Sequence, residues 1–265
     1  MHLVFTDLDG TLLDHATYSW DAARPALEHL RRSGIPWVIV TSKTRAEVEY
    51  WRHETGNAHP FIVENGGAAY IPAGYFPFPI EGAARRGPYD VLEWGAPYPV
   101  LVEALGLAAR TAGCAIRGFH GMTTSEVAES CGMPHGQAIL AQQREYDEPF
   151  LLLDPEREDA LTGAVEARGL RLTRGGRFHH ILGGSDKARA VAAVAALFAR
   201  RYRRLRTIGL GDGPNDATVL REVSHAVLIR SPRVADLRAR VPRGVVTRQA
   251  GPAGWNRAVL SLTRP

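Results

Sequence analysis

Lysine is almost absent from this 265-residue chain. Of 32 basic Lys and Arg residues, only Lys43 and Lys187 are lysine and the other 30 are arginine. Cysteine is as scarce: Cys114 and Cys131 make no disulfide framework and match no zinc-ligand spacing, which points to a reducing compartment. There is no long apolar run. The longest, at 190–199, sits between arginines and is too short to span a bilayer. The N-terminus enters a strand pattern directly, without a basic leader or cleavage site. These absences together predict a cytoplasmic chain with no membrane partner. The net charge of +4 is also unclustered, with its densest run (199–206) reading as a helix end, which argues against a nucleic-acid footprint. A mildly positive field still favours small anionic substrates.

What is present reads as a globular α/β protein. Strands are expected at 2–7, 35–41 and 61–65, with a helix over 21–34 closed by Gly34. Thr44 and Glu47 form a capping-box pair that opens the next helix. The same rhythm returns with a helix at 186–202, a strand at 206–212, a short helix at 215–223, strands at 226–230 and 244–247, and a last helix. Continuous apolar strands alternating with helices predict a parallel sheet covered on both faces.

Between these halves the rhythm breaks. Residues 72–99 hold six prolines, which punctuate regular structure rather than extend it. Helical signals follow at 99–113 and 124–143, and strands at 150–154, 169–174 and 177–183, the last two joined by Gly175-Gly176 as a hairpin. The expectation is a core of 1–82 and 184–265 interrupted by an α+β insertion at 83–183.

Four short stretches carry chemistry, each at a strand's C-terminal end or in a helix's first turn, the edge where open α/β sheets bind ligands. They are "DLDGT" with Asp7 and Asp9; "TSK" with Thr41, Ser42 and Lys43; Lys187; and "GDGPND" with Asp212, Asn215 and Asp216. Carboxylates converging on one edge repel unless a cation joins them, and an all-oxygen site suits Mg²⁺. One carboxylate can attack a phosphoryl group. A second, two residues on, can move the protons. Lys187 would balance the charge. Lys43 is expected in the same anionic pocket but nearer its rim.

In order and register these stretches resemble the four motifs of the haloacid dehalogenase superfamily of phosphohydrolases, over about 165 residues of the two outer segments. The resemblance implies a Rossmann-like parallel-sheet core with an inserted α+β cap of type II. It implies Asp7 as nucleophile, Asp9 as general acid/base, Thr41 as a phosphate-binding hydroxyl and Lys187 as charge balancer. Mg²⁺ would be held by Asp7, Asp9 through its backbone carbonyl, Asp212 and Asp216. "TSKTRAE", "ENGG", "QQREYDEPF" and "GLGDGPND" bring the chain closer to one subfamily, the mannosyl-3-phosphoglycerate phosphatases of mannosylglycerate synthesis. That likeness implies a phosphorylated glycosyl glycerate as substrate. Asn65, Gly66 and Gly67 are expected near it, and Arg144 is the candidate cation for the glycerate carboxylate. Another small sugar phosphate, or a non-catalytic Mg²⁺ and phosphate scaffold, remain the alternatives.

Overall fold

The computed structural model of the chain describes residues 1–175 and 178–264. The first half runs through β1 (His2–Thr6), α1 (Arg24–Arg32), β2 (Trp37–Val40), α2 (Arg45–Thr55), β3 (Phe61–Val63), β4 (Ala68–Pro72), β5 (Ala84–Arg86) and β6 (Tyr89–Glu93). The middle contains α3 (Tyr98–Ala112), β7 (Ile116–Gly118), α4 (Thr124–Cys131), α5 (His135–Ala141), β8 (Asp147–Leu152), α6 (Glu158–Glu166), β9 (Arg171–Arg174) and β10 (His179–Leu182). The chain then returns through α7 (Lys187–Arg201), β11 (Arg206–Gly211), α8 (Ala217–Glu222), β12 (His225–Arg230), α9 (Val234–Arg240), β13 (Val245–Ala250) and α10 (Gly251–Thr263).

A nine-stranded sheet is ordered β13-β12-β11-β1-β2-β3-β4-β6-β5, parallel from β13 to β3 and antiparallel beyond. Alternation along the strands supplies two faces. Val4, Ile39 and Phe61 pack with Leu27, Trp51 and Trp255 from α1, α2 and α10. Leu3, Phe5, Val38 and Ile62 pack with Val194, Phe198 and Leu237 from α7 and α9. Each such fully buried side chain contributes about 1.5–3 kcal/mol. From β1 the chain winds one way to β2 and β3 and later the other way to β11 and β12, so the crevice beyond β1 is the topological switch point.

The second sheet, β7-β8-β10-β9, is antiparallel throughout. One face carries Phe150 and Ile181 against Leu101, Leu105, Leu161 and Val165 of α3 and α6. Near the other face, α4 and α5 pack with Phe119 and Met122 in a cluster of their own. The helical signal over 124–143 is two helices, because Gly132 takes a left-handed φ of 66° and Pro134 follows at once. The strand expected to run to 65 stops at Val63, since Glu64 and Asn65 adopt φ of 46° and 58°. β9 and β10 form the expected hairpin, closed by Gly175 N–H donating to Phe178 O at 2.9 Å; Gly176 and Arg177 lie outside the described residues.

The large sheet also takes in 84–93, because Tyr70, Ala69 and Ala68 of β4 pair with Val91, Leu92 and Glu93. We therefore propose that the inserted layer begins after Glu93 rather than at 83, and ends near 183. No described helix is long and apolar enough to cross a membrane.

Candidate active site

β1 is anchored at its C-terminal end by a short relay. Buried Trp255 of α10 donates from Nε1 to Thr6 Oγ1 (2.9 Å), and that hydroxyl donates to the Asp7 carbonyl (2.8 Å). Asp7 N–H continues the parallel ladder to Leu210 O at 3.0 Å. Gly10 then turns the chain with φ of 70°, and a Cβ there would lie 2.7 Å from Asp212 Oδ2. Only glycine lets the Asp7–Asp9 turn approach the loop after β11 this closely.

Carboxylate oxygens of Asp7, Asp212 and Asp216 lie within 4.8 Å of one another. Burial, then Asp216, pushes Asp7 well above the usual carboxylate range despite Lys187, and the same two causes push Asp212 up to about 7. This acidic cluster is short of positive charge. Its hard, all-oxygen donor set is of the kind Mg²⁺ takes, so Asp7 and Asp212 fit as side-chain ligands. Asp216 is already engaged: Oδ1 accepts from Lys187 Nζ (2.9 Å), and Oδ2 accepts the N–H groups of Asp212 and Gly213 (3.2 Å each). The Asp9 side chain stands outside the cluster.

The two lysines divide the charge. Lys187, the first residue of α7, is 4% exposed and also lies 3.6 Å from Asp7 Oδ1. Burial alone would lower its pKa, but Asp216 and Asp7 raise it above the ordinary lysine value. Lys43 is not at the rim. It is 6% exposed, 3.2 Å from Asp9 Oδ2 and 3.0 Å from Glu47 Oε1, beneath the Tyr18 ring at 5.2 Å. Burial opposes its charge as well, and Asp9 and Glu47 outweigh that. The capping-box glutamate of α2 thus has a second duty, holding the ammonium that holds Asp9. The other Asp9 oxygen, Oδ1, is buried with no partner among the described residues.

A cleft of about 540 Å³ opens over this edge. Asp7, Asp9, Ser42, Lys43, Asp212 and Asn215 line its floor, and Phe119, Met133, Pro149, Phe178 and His180 of the inserted layer line its roof. Thr41 lies just behind it, its Oγ1 accepting from Lys43 N–H at 3.3 Å.

Two groups expected near the substrate have partners within the protein. Asn65, Gly66 and Gly67 do not line the cleft but bracket the two layers. Asn65 Nδ2 donates to Asp147 Oδ2 (2.8 Å), and Gly67 O accepts from Trp94 and Gly95 (2.9 Å each). Gly66, with φ of 88°, lies against the Asp186–Lys187 backbone. Arg144 does reach the cleft wall, but its guanidinium is already committed: Nη2 to Asp147 Oδ2 (3.0 Å) and the Ser42 carbonyl (3.2 Å), Nε to Asp147 O (2.9 Å). Glu64 lies 3.5 Å away, pinned in turn by the N–H groups of Glu145 and Tyr146. Arg144 therefore ties the inserted layer to the loop after β2. Two further arginines, Arg230 and Arg233, line the cleft without belonging to any of the four motifs. Their signal, "RSPR" directly after an apolar strand, has the same strand-end placement as those motifs and could have been read from it.

A family model described as haloacid dehalogenase-like hydrolase matches residues 4–75, the stretch bearing Asp7, Asp9 and Thr41. A glucosyl-3-phosphoglycerate/mannosyl-3-phosphoglycerate phosphatase of Methanococcoides burtonii is 39% identical over 98% of this chain and 97% of its own. A mannosyl-3-phosphoglycerate phosphatase of Pyrococcus furiosus is 36% identical over 86% of this chain and 91% of its own. The chain belongs to the haloacid dehalogenase-like hydrolase family, and within it is a phosphatase. The fold agrees. A solved Thermoplasma acidophilum structure superposes with TM-score 0.69 at 16% identity, covering 97% of this chain and 96% of that one. A subclass IIB sugar phosphatase also gives 0.69 at 16%, covering 99% of each.

Proposed function

We propose that the chain removes phosphate from glycosyl-3-phosphoglycerates, accepting both mannosyl and glucosyl forms. The observation that carries this reading is the reach of the similarity. The identity to the Methanococcoides burtonii phosphatase covers 98% of this chain, including the layer that roofs the cleft and would meet the sugar.

In this reading Asp7 attacks phosphorus and forms an aspartyl-phosphate. The glycosylglycerate oxygen leaves with a proton from Asp9, which next takes a proton from the hydrolytic water. Asp9 suits the task because its side chain lines the cleft and Lys43, 3.2 Å from Oδ2, orients it. Lys187 neutralises the nucleophile and holds Asp216, which fixes the loop carrying Asp212. Mg²⁺ bound by Asp7, Asp212 and the Asp9 carbonyl would offset the charge of the phosphoryl oxygens; Asp216 would be near but already bonded. Thr41, Ser42 and Asn215 would hold those oxygens.

The test is phosphate release from mannosyl- and glucosyl-3-phosphoglycerate and from hexose phosphates, with and without Mg²⁺. Mg²⁺-dependent turnover that favours the two glycerates is expected. Asp7→Asn should abolish it, and Asp9→Asn should lower kcat by roughly 10²–10⁴-fold. Preference for a hexose phosphate would overturn the substrate assignment. Substantial activity in Asp7→Asn would overturn the covalent step.

A further inference from the structure

The proposed substrate brings a carboxylate that none of the groups above is free to meet. Lys43, Lys187 and Arg144 are each paired with buried carboxylates. His180 Nδ1 is held by Asp147 at 3.0 Å, and Arg230 Nε donates to Thr247 O at 3.2 Å. Neither Arg230 nor Arg233 makes an ion pair among the described residues, but Arg230 is tied to β13 by both its Nε and its backbone N–H, whereas Arg233 stands beside the loop that carries Asp212 and Asn215. The one hydrogen bond of the Arg233 guanidinium among those residues is long, 3.4 Å from Nη1 to the carbonyl of Gly175.

Arg233 is nevertheless firmly placed. Its N–H donates to Ser231 Oγ (3.2 Å), and that hydroxyl donates to the Asp212 carbonyl (2.7 Å), locking the turn after β12 onto the loop after β11. A Cβ on Gly213 would lie 2.9 Å from Arg233 Nη2 and 2.6 Å from Asn215 Oδ1, so the guanidinium stands beside Asn215. Gly175, its other neighbour, belongs to the β9–β10 hairpin. The fork therefore sits where core, inserted layer and cleft meet. In a 3-phosphoglycerate unit the carboxylate and the phosphate-bearing carbon are attached to the same central carbon. A cation that reads the carboxylate must therefore stand beside the phosphate pocket rather than deep in the roof.

We propose that Arg233 is the specificity-determining residue for the glycerate carboxylate, an assignment that rests on the glycosyl-3-phosphoglycerate reading. A carboxylate offers the fork two charged acceptors in place of one long carbonyl contact, and paired charge-assisted bonds are the stronger kind.

The experiment compares wild type, Arg233→Ala and Arg233→Lys on mannosyl-3-phosphoglycerate and on its analogue with a hydroxymethyl group in place of the carboxylate. Losing one partner of such a charge pair predicts about a 100-fold fall in kcat/KM for Arg233→Ala on the parent, chiefly through KM, with less than about threefold change on the analogue. Arg233→Lys should recover part of the loss. Equal losses on both compounds would overturn the assignment, making Arg233 a strut between layers, and so would an unchanged rate on the parent. Wild type preferring the analogue would instead sink the substrate reading, and the Arg233 assignment with it.

Discussion

Gly66→Ala is the sharpest test of how the two layers control the chemistry. A Cβ at Gly66 would lie 2.3 Å from the Asp186 carbonyl carbon, 2.4 Å from its oxygen and 2.6 Å from Lys187 N. All three are backbone atoms, so no rotamer change relieves the overlap, and reaching an ordinary contact of about 3.5 Å requires a shift of about 1 Å. Gly56 is the control. It has φ of 66° and closes α2, and a methyl group there would meet nothing within 4 Å. Gly56→Ala should cost only the left-handed conformation, about 1 kcal/mol. Gly66→Ala adds overpacking of about 1–3 kcal/mol or more, for a total of about 2–4 kcal/mol or more. At about 2–4 °C per kcal/mol for a chain of this size, the melting transition should fall by about 3 °C for Gly56→Ala and about 10 °C or more for Gly66→Ala. The damage should reach the active site as well. Asp186 caps α7 through Ala188 N–H at 2.7 Å, and Lys187 follows it, so kcat should fall at temperatures where the variant is still folded. Thermal melts paired with phosphate-release kinetics read both. Equal melting temperatures in the two variants would refute the close-approach argument. A change confined to KM would mean that Gly66 touches substrate after all.

The lysines and Arg144 yield two further expectations. Lys43→Arg and Lys187→Arg should each lower kcat at least about tenfold, because both ammoniums are buried between carboxylates where a planar fork does not fit; near-wild-type kcat in Lys43→Arg would show that only its charge matters. Arg144→Ala leaves Asp147 and Glu64 without their cation and should destabilise the protein by about 3–5 kcal/mol. Chemical denaturation measures this, and its kinetic loss should be similar on glycerate and aryl phosphates; a loss restricted to the glycerate would return Arg144 to carboxylate recognition.

Period and motif made much of this protein legible in one dimension. Apolar runs of strand length between amphipathic helices specify a parallel sheet, and sheet topology then brings the ends of β1, β2 and β11 to one edge. Asp7, Thr41 and Asp212 could therefore be placed there from their positions after strands. The capping box at Thr44 and Glu47 was equally local, and both its reciprocal bonds are present. The rarity of lysine was informative too, since both survivors are buried against acidic groups of the site.

What tertiary structure alone decided is which partner each polar group meets. Nothing local distinguishes Arg144, closed in by Asp147, Glu64 and the Ser42 carbonyl, from Arg233, whose fork makes no ion pair among the described residues and one long bond to the Gly175 carbonyl. Those partners lie up to 102 residues away, and sequence spacing carries no record of such contacts. The same holds for "ENGG": its glycines let the chain approach the protein's own backbone at 186–187 and the Tyr146 side chain. Strands 84–86 and 89–93 joined the large sheet because its β4 edge offered unpaired backbone groups, which a proline-rich composition could not foretell. Residue types and their order determine what chemistry can occur; long-range packing in a crowded, low-dielectric interior decides which charges are already neutralised and which remain for a substrate.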